Sequence, residues 1–214
     1  DYDLIGEIWT ENRPPLPLEP IFCLPEKFSG ESAKSKIENI RETLKNNGCN
    51  AALYSGLDEV AWLFNIRGND VSFNPVAIAY AFVDEKQSYL FTPQQKITQE
   101  VALQLSEDGI VVYDYSKIED FLANLPKEII LALDFNRINF ALYTKASCQK
   151  KQLSSAVIDA KSIKNETELQ GIRSAMVRDG VAMVKFLKWL EEFNGEINNV
   201  VWGMPGLILL IGTG

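Results

Sequence analysis

The sequence predicts an α/β fold, a three-layer domain whose mixed sheet is covered by helices on both faces. Segments with helical apolar spacing alternate with short apolar runs across residues 29–160. Residues 76–83 are almost entirely apolar, which is typical of a strand covered on both faces. The polar turn at 84–87 leads into a second short strand and predicts one antiparallel hairpin. Helices that connect the other strands would bury both faces of this sheet.

Residues 1–25 are predicted to be the end of a preceding domain followed by a linker. Leu4, Ile5 and Ile8 have the apolar spacing of a helix. The segment 13–20 is rich in proline, which fixes φ and removes backbone donors, so an extended spacer is expected there.

The predicted domain over residues 26–163 follows in an alternating order. Ser29 is expected to cap a first helix that carries Ile37, Ile40 and Leu44 on one face and ends at Asn47. Ser116 is expected to cap a later helix that ends before Pro126. The predicted strands are residues 51–54, 76–83, 88–92, 110–113, 129–133 and 157–160. The predicted helices between them are residues 58–64, 97–105, 118–125 and 138–146.

A second domain is predicted to begin at residue 164 and to include residues 164–214. Asn165 and Glu168 have the spacing of a capping box, and the apolar periodicity that follows is far longer than an average helix of about 11–12 residues. Residues 207–211 are an apolar run typical of a buried strand, with no partner after it. We expect from this edge that the chain is truncated, or that residues are missing around 195–206.

Composition excludes several kinds of chemistry. The 214 residues carry a net charge of −8, which disfavours nucleic acid and anionic membranes as partners. The absence of histidine excludes a Ser-His-Asp triad, a Cys-His pair and a histidine-bearing metal site made by this chain alone. Cys23, Cys49 and Cys148 lack metal or disulfide spacing. Without a basic leader or an apolar run of about 20 residues, the sequence favours the cytoplasm.

The densest cluster of polar and turn-forming residues lies between residues 65 and 75. Arg67, Asp70 and Asn74, with Asn65 beside them, are candidates to face a substrate, because a guanidinium and a carboxylate can clamp a peptide terminus. The alternative is a structural loop, with an ion pair between Arg67 and Asp70 and an Asx turn at Asn74. We predict neither catalytic residues nor metal ligands in this chain.

Several segments resemble three-domain Xaa-Pro aminopeptidases (aminopeptidase P) of the creatinase/prolidase family of pita-bread metallopeptidases. The linker LIGEIWTENRPPLP is similar to the end of their first domain. AWLFNIRGND at 61–70, followed by FNPV at 73–76, resembles the signature of their middle domain. KNETEL at 164–169 and RDGVA at 178–182 resemble the first helix of their catalytic domain.

This resemblance implies a creatinase amino-terminal-like fold followed by the first long helix of a pita-bread domain. It implies a parent hydrolase that releases the residue before a penultimate proline, with two divalent metals, usually manganese, held by two Asp, one His and two Glu. None of those ligands can be placed in this chain. The segment would then shape access to the site and pack domains or subunits, within a homodimer. The alternative is a catalytically inactive scaffold or binding module that resembles histone-chaperone relatives of the pita-bread family.

Overall fold

The computed structural model describes residues 4–193 and divides into two compact units, of which the first ends at Ile163 and the second begins at Lys164. The helices of the first unit are α1 (Leu4–Ile8), α2 (Glu26–Ser29), α3 (Ala33–Asn46), α4 (Leu57–Leu63), α5 (Gln99–Glu107), α6 (Ile118–Ala123), α7 (Phe140–Lys145) and α8 (Ala156–Ser162). The strands are β1 (Phe22–Cys23), β2 (Ala51–Tyr54), β3 (Ile66–Arg67), β4 (Tyr80–Asp84), β5 (Ser88–Phe91), β6 (Ile110–Tyr113), β7 (Ile130–Leu133) and β8 (Gln149–Gln152).

Six of these strands form a mixed sheet in the order β6-β5-β4-β2-β7-β8. Strand β4 is antiparallel to β2 and β5, whereas β2–β7, β5–β6 and β7–β8 are parallel pairs. The predicted hairpin and the mixed sheet are therefore confirmed. A separate small sheet pairs β1 with β3 in antiparallel register and sets Phe22 opposite Arg67.

Helices cover both faces of the six-stranded sheet, as predicted. On one face, Ile37 and Ile40 of α3 and Val157 of α8 belong to the larger apolar cluster. On the other face, Leu122 of α6 packs in a second cluster with Phe82 and other sheet residues. Every residue of β2 is buried, because this central strand contributes side chains to both clusters. The result is a three-layer α/β unit.

The prediction of a strand at 157–160 is wrong, because these residues lie in helix α8. Ser155 caps that helix by accepting a hydrogen bond from the amide of Ile158 at 3.4 Å, and Val157 faces the core. The sixth strand is instead β8, whose sequence QKKQ is entirely polar. A sheet edge needs no apolar face when solvent covers it, and charged residues there discourage further strand pairing.

Two helix caps and one strand start also differ from the predictions. Ser32, not Ser29, caps α3 by accepting from the amide of Ser35 at 3.1 Å. Asp114, not Ser116, accepts from the amide of Ser116 and opens a 3-10 turn that leads into α6. Residues 76–79 are outside the ladder, although Val76 and Ala77 are buried. An apolar run indicates that a segment is buried, but a buried segment can have irregular backbone and need not be a strand.

Helix α9 (Glu166–Glu192) is the described element of the second unit. The predicted capping box is present: the amide of Glu168 donates to Asn165 Oδ1 at 2.9 Å, and the amide of Asn165 donates to Glu168 Oε2 at 3.0 Å. Met176, Val177 and Val184 are exposed by 64–70%. The strand predicted at 207–211 lies outside the described residues. Among residues 4–193, no helix combines the length and apolar character that a membrane span requires.

Candidate functional site

The candidate site begins at Arg67, the last residue of β3. Its Nη1 atom donates to the carbonyl oxygens of Ala61 at 2.7 Å and Ile66 at 2.8 Å. The guanidinium therefore ties the end of the small sheet to helix α4, since Ala61 lies in that helix. Arg67 is half-buried, and these contacts fix where the following loop leaves the sheet.

Asp70 lies in the interior of the unit. Its carboxylate forms an ion pair with Lys96, and neither side chain has exposed surface. The Oδ2 atom also accepts a hydrogen bond from the amide of Ile78 at 2.6 Å. The Oδ1 atom is buried without a hydrogen-bond partner among the described residues. This carboxylate thus links both ends of the segment 70–78 to the 3-10 turn Gln94–Lys96.

Residues 68–76, called the 68–76 loop below, are joined to each other by backbone hydrogen bonds. The amide of Asp70 donates to the carbonyl oxygen of Val76 at 3.2 Å, and the amide of Asn74 donates to the carbonyl oxygen of Val71 at 3.1 Å. A Cβ added to Gly68 would lie 3.0 Å from Ala77 Cβ and 3.2 Å from the carbonyl oxygen of Val76, so a side chain here would force the neighbouring segment to shift by a few tenths of an ångström.

The tip of the 68–76 loop is exposed. Phe73 is 69% exposed and has a φ of 64°, a left-handed conformation that is uncommon for residues other than glycine. Asn74 is exposed, and its side-chain amide forms no hydrogen bond within residues 4–193, so the predicted Asx turn is not formed. Of the candidate residues, Asn74 therefore offers its polar side chain to solvent.

The structure does not bring Arg67, Asp70 and Asn74 together as one clamp. Asp70 pairs with Lys96, and the alternative ion pair between Arg67 and Asp70 is absent from the described part of the chain. Asn74 lies at the exposed tip instead. Whether these residues face a substrate stays a prediction, and the geometry gives Asp70 the role of holding the loop in place.

A second buried cation anchors the residues just before the loop. Lys36 is 2% exposed, and its Nζ atom donates to Asn65 Oδ1 at 2.7 Å and to the carbonyl of Trp62 at 3.0 Å. Asn65 Nδ2 donates in turn to the carbonyl of Glu31 at 2.8 Å. Asn65 therefore faces inward and is not part of an exposed clamp.

The sequence analysis did not predict that Lys36 and Lys96 are buried, and only for Lys36 does the local sequence pattern indicate burial. Lys36 falls at helical spacing with Ala33, Ile37 and Ile40, so its position on the core face of α3 could have been read. Lys96 follows two glutamines in a polar segment, which resembles an exposed turn. Its burial depends on the fold of residues distant in sequence.

A small cavity lies where the parallel strands β2 and β7 end. Its lining includes Tyr54, Glu59 and Arg137, and its volume of about 20 Å³ is enough for one water molecule but not for a peptide. Burial, with the charge of Glu59 in addition, raises the pKa of the Tyr54 phenol. The hydroxyl is therefore neutral at pH 7 and is unsuited to act as a base.

The described residues offer no centre for metal chemistry. Among residues 4–193, no three His, Cys, Asp or Glu side chains are grouped so that they could hold a metal ion. Burial, and then the charges of Asp108 and Glu100, raise the pKa of Cys23 to about 11. Burial also raises the pKa of Cys49 and of Cys148. These thiols are protonated near neutral pH, which makes them poor nucleophiles.

Comparison with known proteins gives consistent similarities. The sequence profile of the creatinase/prolidase N-terminal domain matches residues 12–168. A probable Xaa-Pro aminopeptidase P from Sordaria macrospora is 38% identical over 201 residues, which cover 89% of this chain and 33% of that protein. Xaa-Pro aminopeptidase 1 from Dictyostelium discoideum is 37% identical over 183 residues, which cover 85% of this chain and 29% of that protein. The chain thus spans about a third of the length of these relatives.

Solved structures show the same fold. The X-prolyl aminopeptidase from Caenorhabditis elegans, described as a cytosolic enzyme with a di-nuclear active site, superposes with a TM-score of 0.82 at 32% identity. The superposition covers 89% of this chain and 32% of that one. The prolidase from Pyrococcus horikoshii superposes with a TM-score of 0.56 at 19% identity, over 83% of this chain and 48% of that one.

Proposed function

Since this chain belongs to the family of creatinase/prolidase N-terminal domains, we propose that it forms the non-catalytic middle part of an Xaa-Pro aminopeptidase. The observation that carries the proposal is the similarity to Xaa-Pro aminopeptidases along 89% of the chain, on both sides of the boundary at residue 164. Residues 1–25 would end a first domain, residues 26–163 would form the middle domain, and residues 164–214 would start the catalytic domain.

The proposed enzyme releases the N-terminal residue of a peptide whose second residue is proline. In the proposed parent, two divalent metals, manganese by preference, would supply an activated water and polarise the peptide carbonyl. This chain's own residues do not fit such a pair of ions, because the sequence lacks histidine and the described residues contain no group of potential ligands. No chemical step is therefore assigned to residues of this chain.

We assign this segment to substrate access and to packing. The 68–76 loop is held at its base by the ion pair of Asp70 with Lys96, and its exposed tip would present Asn74 to a peptide. Arg67 would support that surface from the end of β3. The exposed apolar residues of α9 support the packing part of the proposal, because such surface is normally covered in an assembled protein.

Partners and location follow the same proposal. The substrates would be short peptides with a penultimate proline, and the full-length enzyme would be a homodimer in the cytoplasm. The net charge of −8 supports the exclusion of nucleic acid and of anionic membranes as partners. The same acidic charge is compatible with the second candidate, a scaffold that binds basic proteins without catalysis.

The deciding experiment is an assay on an Xaa-Pro peptide with added manganese, with an Xaa-Ala peptide as the substrate control. We expect hydrolysis by the longer protein encoded by the same gene and none by the 214-residue chain alone. Hydrolysis by this chain would contradict the non-catalytic role. A longer protein that lacks two Asp, one His and two Glu after residue 214, and that is inactive on both peptides, would favour the scaffold.

The substrate-facing role of the loop has its own test in the longer protein. Asn74→Ala should raise the KM for a proline peptide severalfold with little change in kcat, because an exposed amide contributes to binding rather than to chemistry. Asn69→Ala, at another exposed position of the same loop, is the matched control. Identical KM values for both variants and the unmodified protein would remove Asn74 from the proposed site.

A further inference from the structure

An aromatic groove of about 750 Å³ lies at the β6 edge of the six-stranded sheet. Its aromatic wall consists of Tyr89 and Phe91 of β5, Tyr113 of β6 and Phe121 of α6. The volume is within the range of about 300–1,000 Å³ that small-molecule sites occupy in proteins. We call this cavity the edge groove.

The rings of the edge groove form an ordered platform. Tyr89 and Tyr113 are stacked with centroids 5.7 Å apart and planes within 9° of parallel. Phe121 lies against both, at 5.0 Å from Tyr89 and 6.2 Å from Tyr113. Tyr113 is 40% exposed, because β6 is the edge strand of the sheet. Part of its surface therefore remains accessible to a ligand.

Acidic groups surround this platform. Asp84, Asp114 and Asp120 line the edge groove, with Lys117 as the opposing charge. Asp84 and Asp114 each use Oδ1 to accept backbone amides of adjacent turns. The carboxylate of Asp120 makes neither a hydrogen bond nor an ion pair within residues 4–193. A ligand that carries positive charge would find acceptors here that are not already committed.

We propose that the edge groove binds the guanidinium group of an arginine side chain presented by a peptide. A planar guanidinium can stack on a tyrosine ring and donate to carboxylates at its edge, while the apolar stem of arginine covers aromatic surface. A lysine ammonium is compact and strongly hydrated, so it matches the flat platform less well. A neutral apolar ligand that covered Asp120 would leave its carboxylate without a partner.

The net charge of the whole chain also favours the binding of a positively charged ligand. A net charge of −8 draws cationic peptides toward the surface and raises their local concentration. Burial, with Asp84 and Tyr113 nearby, raises the pKa of Tyr89, so this ring stays neutral at physiological pH. The proposal goes beyond the proposed function, since the groove would bind arginine whether or not the longer protein is a peptidase.

The test is an NMR titration of the 214-residue chain with labelled aromatic side chains. The probe is the peptide acetyl-Gly-Arg-Gly-amide, and the matched probes replace arginine by citrulline, which has the same shape without charge, or by lysine. We expect the arginine peptide to shift the resonances of Tyr89 and Tyr113 with a Kd of about 1 mM. The citrulline peptide should bind about tenfold more weakly, and the lysine peptide severalfold more weakly.

Variants locate the binding. Tyr113→Leu removes the ring and should weaken binding about threefold, and Asp120→Asn removes one charge and should weaken it by a similar factor. Asp159→Asn makes the same charge change at an exposed position of α8 outside the groove and should leave binding unchanged. Because Asp120 is exposed, its variant keeps the test valid even if Tyr113→Leu disturbs the fold.

Several outcomes would overturn the proposal. Equal affinity for arginine and citrulline peptides would exclude charge recognition, and equal affinity for lysine would exclude the guanidinium. The absence of shifts at about ten times the expected Kd would exclude the site. Shifts confined to residues outside the edge groove, or equal binding by Asp120→Asn and Asp159→Asn, would also contradict it.

Discussion

Lys96 and Asp70 form an ion pair in which neither side chain has any exposed surface. The pair joins the 3-10 turn before α5 to the 68–76 loop, and Asp70 also accepts a hydrogen bond from the amide of Ile78. A buried pair of this kind adds little net stability relative to apolar residues, but loss of one partner leaves a charge buried without compensation. The ion pair of Lys96 and Asp70 therefore serves mainly to fix the position of the 68–76 loop.

Lys96→Met should lower the free energy of unfolding by about 3–5 kcal/mol, because it leaves the Asp70 carboxylate buried and unpaired. Urea denaturation followed by circular dichroism measures the loss. Lys86→Met, at an exposed lysine in a turn, is the control and should stay within about 0.5 kcal/mol. The double variant Lys96→Met with Asp70→Asn should lose less than the sum of the single changes. Strict additivity would contradict the coupling.

Gly68→Ala should destabilise the chain by about 1–3 kcal/mol, because the new methyl group would lie 3.0 Å from Ala77 Cβ and 3.2 Å from the carbonyl oxygen of Val76. The matched control is Gly171→Ala in α9, where a methyl group would meet no atom within 4 Å. That change should stabilise its helix by about 0.5–1 kcal/mol. Thermal unfolding of both variants tests the contrast, and a neutral Gly68→Ala would refute the close backbone approach.

Phe73→Asn should raise the free energy of unfolding by about 0.5–1 kcal/mol, because asparagine tolerates the left-handed φ of 64° better than phenylalanine does. Little packing is lost, since Phe73 is 69% exposed. Phe73→Val should instead lower the free energy of unfolding by about 1 kcal/mol, because β-branched residues are poorly tolerated at positive φ. If urea denaturation gives both variants the same midpoint, the conformation at the tip is not left-handed in solution.

Alkylation of Cys23 by iodoacetamide should be slow at pH 8 and should increase with a midpoint near the pKa of about 11. The folded pKa lies above the unfolded value of 9.0, so this thiol's contribution to stability is complete below pH 9 and is lost as the pH rises through 11. Peptide mapping by mass spectrometry measures the alkylation rate. Cys23→Ser should remove this part of the stability loss at alkaline pH. A midpoint near 9 would contradict the effect of burial.

The central elements could be predicted because local pattern and tertiary environment agree there. Helix α3 shows Ile37, Ile40 and Leu44 at helical spacing, and all three are buried. Strand β2 is a short apolar run flanked by polar turns and is buried throughout. The strand predicted at 157–160 is helix α8, and no predicted element covers the polar strand β8, because neither an edge strand nor a short buried helix has a distinctive period.

The candidate site shows the same division. The three candidates Arg67, Asp70 and Asn74 lie within eight residues of each other in the sequence, but the side chain of Asp70 is directed inward by Lys96, a partner 26 residues away. Lys96 has no local signal for burial, because its environment is built by the loop and by the residues that enter the small sheet. The edge groove also depends on the fold, since its rings come from β5, β6 and α6.

The sequence by itself determined the mixed α/β architecture, the capped long helix and the lack of histidine chemistry, since apolar periodicity, capping pairs and composition are local or additive properties. Only the tertiary structure decided which charges are buried, which loop residues face solvent and where the aromatic residues form a groove. These features require segments that are distant in sequence to meet, and the free energy of burying a charge or stacking two rings depends on that meeting.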